Sequence, residues 1–369
     1  MGLESRTRAE FLNVQALRGI AASMVAVDHL AQYELQLTPS PHFLLWFKWI
    51  GPTGVDLFFA ISGFIMLVTN FRAFGEPDAP RYFLSRRIIR IFPVYWFVTL
   101  VAVAAAIRLH GLHGVYFTPF FVLATILLLP RSVPPPVQPA WSLIFEMFFY
   151  YWFAIGLHFR RAIFYGIFAI SVAIVVIGNL ATHHGGASVA SHTIFSPFNL
   201  EFALGILVAT AVCYKRLPPT RLIVAAAGIA LVIGLAFLTL RHGGYEGAPH
   251  GGWLRFSAAG LPFALVVFAA VVLEIRGRAI RPGLLTFMGD ASYSLYLWHV
   301  LLIGLYIRVF GRVPHHGLAG HIVFIVLVLA ATIATALGLY VAIERPLTET
   351  LKRRLSVHRR RTRPAIAGT

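Results

Sequence analysis

Residues 221–240 read RLIVAAAGIALVIGLAFLTL, and after the first arginine this stretch contains no charged side chain. A helix of about 20 apolar residues is long enough to cross roughly 30 Å of hydrocarbon. Because lipid offers no hydrogen bonds to peptide groups, a chain that crosses it in this way must be helical. The stretch therefore predicts a membrane-spanning helix, and similar stretches recur along the sequence.

The composition of the 369-residue chain extends this prediction to the whole protein. Hydrophobic residues make up 58% of the chain and charged residues only 12%, whereas soluble domains carry about 25% charged residues. The alternating polar and apolar pattern of a membrane β-barrel is missing. The predicted fold class is an all-α integral membrane protein.

Apolar segments recur often enough to predict a polytopic arrangement. Eleven can be marked, at roughly 15–33, 49–69, 92–109, 117–129, 140–157, 163–181, 198–213, 221–240, 254–274, 288–310 and 319–343. The segment at 117–129 is the shortest and is followed by three consecutive prolines at 134–136, which cannot lie inside a helix. Its length is typical of a re-entrant or interfacial piece.

The distribution of basic residues predicts the orientation of these helices. Arginine and lysine cluster in 70–91, 214–221, 275–281 and the tail at 351–369, and basic loops favour the cytoplasmic side. If 117–129 does not cross, about ten transmembrane helices remain and both termini are cytoplasmic. We expect one transmembrane domain over 1–350, followed by a basic, disordered tail.

The formal net charge of +17 follows from these basic loops, so we expect no nucleic-acid partner, and no nucleic-acid recognition motif is present. The single cysteine, Cys213, excludes an internal disulfide and a cysteine-rich metal site. Acidic or cysteine partners at metal-ligand spacing from the histidines are missing, so no metal site is predicted.

Ionisable side chains inside the predicted spans are candidate functional residues, because burying a charge in hydrocarbon is costly. Arg18 and His29 lie eleven residues apart in the first span, which is about 16 Å and three turns of helix. They therefore share one face, with His29 near the middle of the bilayer. Histidine exchanges protons near neutral pH, although a structural histidine paired inside the helix bundle is an alternative interpretation.

Two acidic residues also fall within apolar segments. Asp56 enters the second span, and Glu146 lies in a helix that is otherwise apolar and aromatic. Either carboxylate could orient His29 or pair with an arginine. A purely structural ion pair is the alternative for both.

A cluster of arginines and a polar helix face complete the candidate site. Arg87 and Arg90 share one helical face at the predicted cytoplasmic boundary, beside Arg86. Guanidinium groups arranged in this way suit phosphates, although they could simply set the topology. Tyr293 and His299, together with the tyrosine between them, could line a polar channel, or could pack as an ordinary helix face.

Five segments in order resemble the acyltransferase-3 family of integral membrane O-acyltransferases. They are LRGIAA at 17–22 leading to His29, GVDLFFAISGF at 54–64, RRIIRIFP at 86–93, WSLIFE at 141–146 and ASYSLY at 291–296. Each is weak alone, but their order from residue 17 to about 346 is specific. The opening segment most resembles the branch that modifies bacterial exopolysaccharides.

This resemblance implies an acyl-CoA donor, often acetyl-CoA, and an O-linked product, with no metal. It implies that His29 is catalytic. As a hypothesis for the mechanism, Asp56 or Glu146 would fix the tautomer of His29, and Tyr293 and His299 would contact substrate. The family's arginines correspond to Arg18 and to Arg87 and Arg90, which would hold the CoA phosphates with help from Arg86. His29 could act as a general base or could itself be acylated.

The implied partners are acyl-CoA, membrane lipid and a saccharide or glycolipid acceptor, and the implied location is the bacterial inner membrane, crossed many times. Two alternatives remain open from the sequence. One is an O-acyltransferase for a macrolide or another small molecule, and the other is a non-enzymatic glycolipid transporter or flippase. The sequence does not predict the oligomeric state.

Overall fold

The computed structural model of the chain describes residues 11–37, 44, 47–110, 118–182, 188–241, 252–311 and 317–362. All regular secondary structure in these ranges is helical, which confirms the predicted all-α class. The main helices are α1 (Leu12–Leu37), α2 (Gly54–Asn70), α3 (Ala79–His110), α4 (Pro119–Leu127), α5 (Trp141–Leu157), α6 (Arg161–Thr182), α7 (Phe198–Cys213), α8 (Thr220–Leu240), α9 (Leu261–Ile275), α10 (Leu284–Asp290), α11 (Ser292–Phe310), α12 (Gly317–Leu339) and α13 (Arg345–Thr362).

Shorter helical turns precede or join several of these helices. They are Phe47–Ile50, Gly51–Thr53, Gln138–Ala140, Val189–Ile194, Trp253–Arg255 and the two π-helical turns Phe256–Gly260 and Tyr340–Glu344. The first π turn leads into α9, and the second joins α12 to α13.

Nine helical segments within the described ranges are long and apolar enough to cross a membrane. The predicted first span is additional to these nine. It forms α1, whose 26 residues extend about 39 Å. Because it carries many polar side chains, α1 is less apolar than the nine other segments. The chain is therefore a multi-pass membrane protein, and α1 is the polar helix among its apolar neighbours.

The predicted non-crossing segment 117–129 contains the short helix α4, which has nine residues and extends only about 13 Å. Its carboxyl end is held against α3, because Tyr95 donates a hydrogen bond to the carbonyl of Thr125 at 2.9 Å and Trp96 donates one to the carbonyl of Ile126 at 2.9 Å. The chain then turns back through 128–140 into α5.

Two predicted boundaries were wrong. The basic segment 70–91 is not wholly a loop, because α3 begins at Ala79 and continues for 32 residues with Pro93 inside it. Arginine is a good helix former, so the helix can extend beyond its apolar part. The segment 288–310 is interrupted at Ala291, where α10 ends and α11 begins.

Glycines allow the central helices to approach closely. A Cβ atom built on Gly63 would lie 2.1 Å from the carbonyl oxygen of Phe202 on α7, and one on Gly205 of α7 would lie 2.1 Å from that of Ala60 on α2. A Cβ on Gly289 of α10 would lie 1.9 Å from a carbonyl oxygen of α1. These contacts place α1 and α2 in the middle of the bundle.

Helix α13 continues through residues 351–362, where the composition predicts a disordered tail. Residues 363–369 of that tail, and residues 1–10 of the predicted transmembrane domain, lie outside the described residues. Helix α13 packs beside α3, and this contact brings the start of the basic segment to the arginines of α3.

Candidate active site

A cavity of about 560 Å³ opens between α1, α2, α3, α5, α11 and α13. This volume is within the range of roughly 300–1,000 Å³ that is usual for small-molecule sites. The four arginines predicted to bind phosphate all line it, namely Arg18, Arg86, Arg87 and Arg90. Lys352 of α13 also lines it, so this cavity is strongly cationic.

Aromatic rings and one carboxylate hold the arginines in place. The guanidinium carbon of Arg87 lies 5.4 Å from the ring centre of Phe83 and 5.0 Å from that of Tyr150. Glu146 also lines the cavity and accepts hydrogen bonds from Tyr150 and, at 3.3 Å, from Ser62. Glu146 therefore lies with the arginines and interacts electrostatically with Arg90.

Arg18 is fixed by contacts with α1 and α11. Its guanidinium donates to the side-chain oxygen of Gln15 at 2.8 Å and to the hydroxyl of Ser292 at 2.9 Å. Gln15 in turn donates to Asp290 at 2.5 Å. A guanidinium held by two neutral groups keeps its charge available to an anionic ligand.

Tyr296 is a buried residue that lines the cavity from α11. Its hydroxyl donates to the carbonyl of Pro139 at 2.9 Å and lies 2.6 Å from the hydroxyl of Ser142, while its ring lies edge-on to Phe58 at 5.8 Å. The predicted substrate-binding residue Tyr293 lines the cavity nearer to α3, where its hydroxyl donates to the carbonyl of Ile91 at 2.8 Å.

His29 and His299 form a pair beyond Tyr296. The ring centre of Tyr296 lies 6.0 Å from that of His299, which lies 4.8 Å from that of His29. Neither histidine is among the described residues that line the cavity. His299 is fully buried, whereas the side chain of His29 keeps 13% of its exposure.

Hydrogen bonds indicate the tautomer of each imidazole. The Nδ1 atom of His299 lies 3.2 Å from the carbonyl of Leu295, and that of His29 lies 3.0 Å from the carbonyl of Val25. Since only a protonated nitrogen can donate to a carbonyl, Nδ1 carries the proton in both rings. The single Nδ1–H of His29 is then shared between the carbonyl of Val25 and Nε2 of His299, which lies 3.3 Å away, and Nε2 of His29 keeps its lone pair.

Asp56 is brought to an arginine rather than to His29. Nε of Arg255 donates to both carboxylate oxygens of Asp56 at 3.0 Å, and Nη2 donates to Oδ2 at 2.6 Å. A further hydrogen bond of 2.7 Å joins Arg255 to the carbonyl of Pro52. The carboxylate nearest to His29 is instead that of Asp28, with Oδ2 at 3.7 Å from Nδ1.

Sequence reasoning missed three features of this site. Lys352 belonged to a segment interpreted only as a tail, and Arg255 lies in a turn that had no motif. Asp28 directly precedes His29, and although successive helical residues point about 100° apart, its carboxylate still reaches the adjacent ring. Among the described residues, no group of three or more histidine, cysteine or acidic side chains could hold a metal ion.

The helical fold and this cavity define a class of protein, namely multi-pass membrane proteins with an internal cation-lined site beside a pair of histidines. The profile of the acyltransferase-3 family, described as an acyltransferase domain, matches residues 11–341. The chain therefore belongs to this family, which makes it a membrane acyltransferase and confirms the resemblance found in the sequence.

Two relatives match over most of their length. The exopolysaccharide production protein ExoZ of Rhizobium meliloti is 32% identical over 321 residues, covering 81% of this chain and 90% of ExoZ. A protein of Komagataeibacter xylinus, provisionally named membrane-bound transacylase BcsY, is 28% identical over 358 residues, covering 90% of this chain and 82% of BcsY. No solved structure gives a significant match.

Proposed function

We propose that this protein transfers an acyl group, in the simplest case acetyl, from acyl-CoA to a hydroxyl of a sugar in a cell-surface polysaccharide or exopolysaccharide. We place it in the bacterial inner membrane, where acyl-CoA reaches it from the cytoplasm. Family membership supports acyl transfer, and the exopolysaccharide role in the name of ExoZ supports a saccharide acceptor.

One observation carries the proposal of a CoA donor. The described residues lining the cavity include five cationic side chains and one carboxylate, together with aromatic side chains such as Tyr296. The phosphates of CoA carry several negative charges and enter hydrocarbon only at great cost. They would remain with the arginines, while the slim pantetheine arm extends towards Tyr296.

The histidine pair supplies the base for the reaction. Nε2 of His29 would take the proton of the acceptor hydroxyl as its oxygen attacks the thioester carbonyl. The new carbon–oxygen bond forms, the carbon–sulfur bond breaks, and the proton passes to the departing thiolate to give free CoA. Asp28, at 3.7 Å from the ring, would stabilise the positive charge that His29 acquires. His299 would hold the ring through its 3.3 Å contact.

Purified protein in lipid nanodiscs, supplied with acetyl-CoA, tests this proposal. Release of free CoA thiol should require both protein and acceptor when a panel of polysaccharide fragments is offered. His29→Ala should lose at least about 100-fold in kcat, since general-base catalysis contributes about 10²–10⁴-fold. His192→Ala, on the short helix Val189–Ile194, is the matched control and should retain full turnover.

Three other outcomes would each contradict one part of this proposal. Normal turnover by His29→Ala would refute the assignment of the base. Turnover with macrolides but not with glycans would refute the saccharide acceptor while leaving acyl transfer intact. If acetyl-CoA neither reacts with nor thermally stabilises the protein, the proposed donor is wrong.

A further inference from the structure

A second, smaller cavity adjoins the mouth of the first. Its volume is about 300 Å³, and it is lined by Tyr82, Arg86, Lys352, Arg353 and Leu355. Three of these residues also line the larger cavity, so the two spaces are continuous. We call the smaller space the outer subsite.

The outer subsite is built from two helices that the sequence places far apart. Tyr82 and Arg86 lie one turn apart on α3, with the guanidinium carbon of Arg86 5.6 Å from the tyrosine ring centre. Lys352 and Arg353 come from α13, which packs beside α3. The side chains of Arg86, Lys352 and Arg353 are exposed, so a ligand can reach them from water.

The charge of the outer subsite differs from that of the inner cavity. In the inner cavity Glu146 lies among the arginines, and Glu344 interacts electrostatically with Arg18 and Arg90. The described residues that line the outer subsite include three cations and no carboxylate. It therefore suits a more highly charged anion than the inner cavity does.

We propose that the outer subsite binds the 3′-phosphate of the donor's nucleotide, with Lys352 as the residue that discriminates it. This inference rests on the proposed acyl-CoA donor. The thioester and the 3′-phosphate lie at opposite ends of CoA, so a thioester directed towards Tyr296 leaves the nucleotide at the mouth. A phosphate monoester carries a charge of about −1.5 to −2 at pH 7, and a lysine ammonium binds phosphate as a point charge.

Comparison of acetyl-CoA with 3′-dephospho-acetyl-CoA isolates the contribution of this phosphate. Hydrogen bonds to charged groups contribute about 1.5–3 kcal/mol, so wild-type protein should show a KM at least about tenfold higher for the dephosphorylated donor. Lys352→Gln should raise KM for acetyl-CoA by about five- to tenfold and leave KM for the dephospho compound unchanged. The ratio of the two KM values should therefore fall towards one, with kcat unaltered.

Two further variants make the result decisive. Lys215→Gln removes an exposed lysine elsewhere and should change neither KM. Arg87→Gln, in the inner cavity, should raise KM for both donors, because both retain the pyrophosphate.

If Lys352→Gln raises both KM values equally, or raises neither, the outer subsite does not recognise the 3′-phosphate. If wild-type protein uses neither donor, the proposed function fails and this inference fails with it.

Discussion

Asp56→Ala should destabilise the protein strongly while leaving its chemistry intact. In the native ion pair the side chains of Arg255 and Asp56 keep only 7% and 0% of their exposure, so the variant leaves Arg255 buried with the electrostatic interaction of Glu201 but without the carboxylate that it binds. Removing one partner of a buried pair costs about 3–5 kcal/mol. With an unfolding entropy of about 2.1 cal/mol/K per residue over 369 residues, this predicts a fall in Tm of about 4–6 °C.

The assay is thermal unfolding of the detergent-solubilised variant, followed by turnover measured at a temperature where it is fully folded. The double variant Asp56→Leu/Arg255→Met should recover much of the lost Tm, since replacing a whole buried pair by apolar residues is often neutral or stabilising. Turnover per folded molecule should stay within about threefold of wild type. An Asp56→Ala variant with normal Tm but no turnover would refute this reasoning and restore Asp56 to the catalytic group.

Three further outcomes follow from the packing. Gly205→Leu should prevent the close approach of α7 to α2 and give little folded protein by size-exclusion chromatography, whereas Gly228→Ala, where nothing lies within 4 Å, should fold normally. Glu34→Gln should lower Tm by several degrees without changing kcat, because it weakens the buried 2.6 Å contact with His321. Tyr296→Ala should raise hydrolysis of acetyl-CoA in the absence of acceptor by at least about threefold, measured as free thiol, because the ring separates the cavity from the histidines.

The sequence predicted the helical class because the class depends on local composition. It predicted about ten transmembrane helices, and nine described segments are long and apolar enough to cross a membrane. A run of about 20 apolar residues has one stable arrangement in lipid, a membrane-spanning helix. The segment 117–129 is too short for this, so it was predicted to be a re-entrant or interfacial piece. The start of α3 could not be predicted in the same way. Arginine both favours helix formation and concentrates on the cytoplasmic side of a membrane. The charge pattern therefore marks the membrane boundary but not the residue at which the helix begins.

The partners of buried charges were harder to predict than the charges themselves. Three arginines of the cavity, Arg86, Arg87 and Arg90, were identified because they lie close together in sequence on α3. By contrast, Asp56 pairs with a residue 199 positions away, and the histidines of the pair are 270 positions apart. Such contacts depend on which helices are neighbours in space, and the periodicity of one helix carries no information about that.

The position of Tyr296 bears on how the donor reaches the base. A general base must come within about 2.6–3.2 Å of the proton it takes, yet two ring contacts, of 6.0 and 4.8 Å between centres, lie between Tyr296 and His29. An acceptor hydroxyl that contacts His29 is therefore too far from a thioester beside Tyr296 to attack it until the tyrosine ring moves, because the reacting atoms must come within about 3–3.5 Å.

Moving that ring breaks its hydrogen bonds to Ser142 and Pro139. At about 0.5–1.5 kcal/mol each, the open form costs roughly 1–3 kcal/mol and is a minor state of the free protein. A ligand that binds the open form preferentially raises its population, so an acceptor bound beside the histidines would open the path. With Tyr296 closed, the thioester stays apart from the base and is protected from hydrolysis until an acceptor is in place.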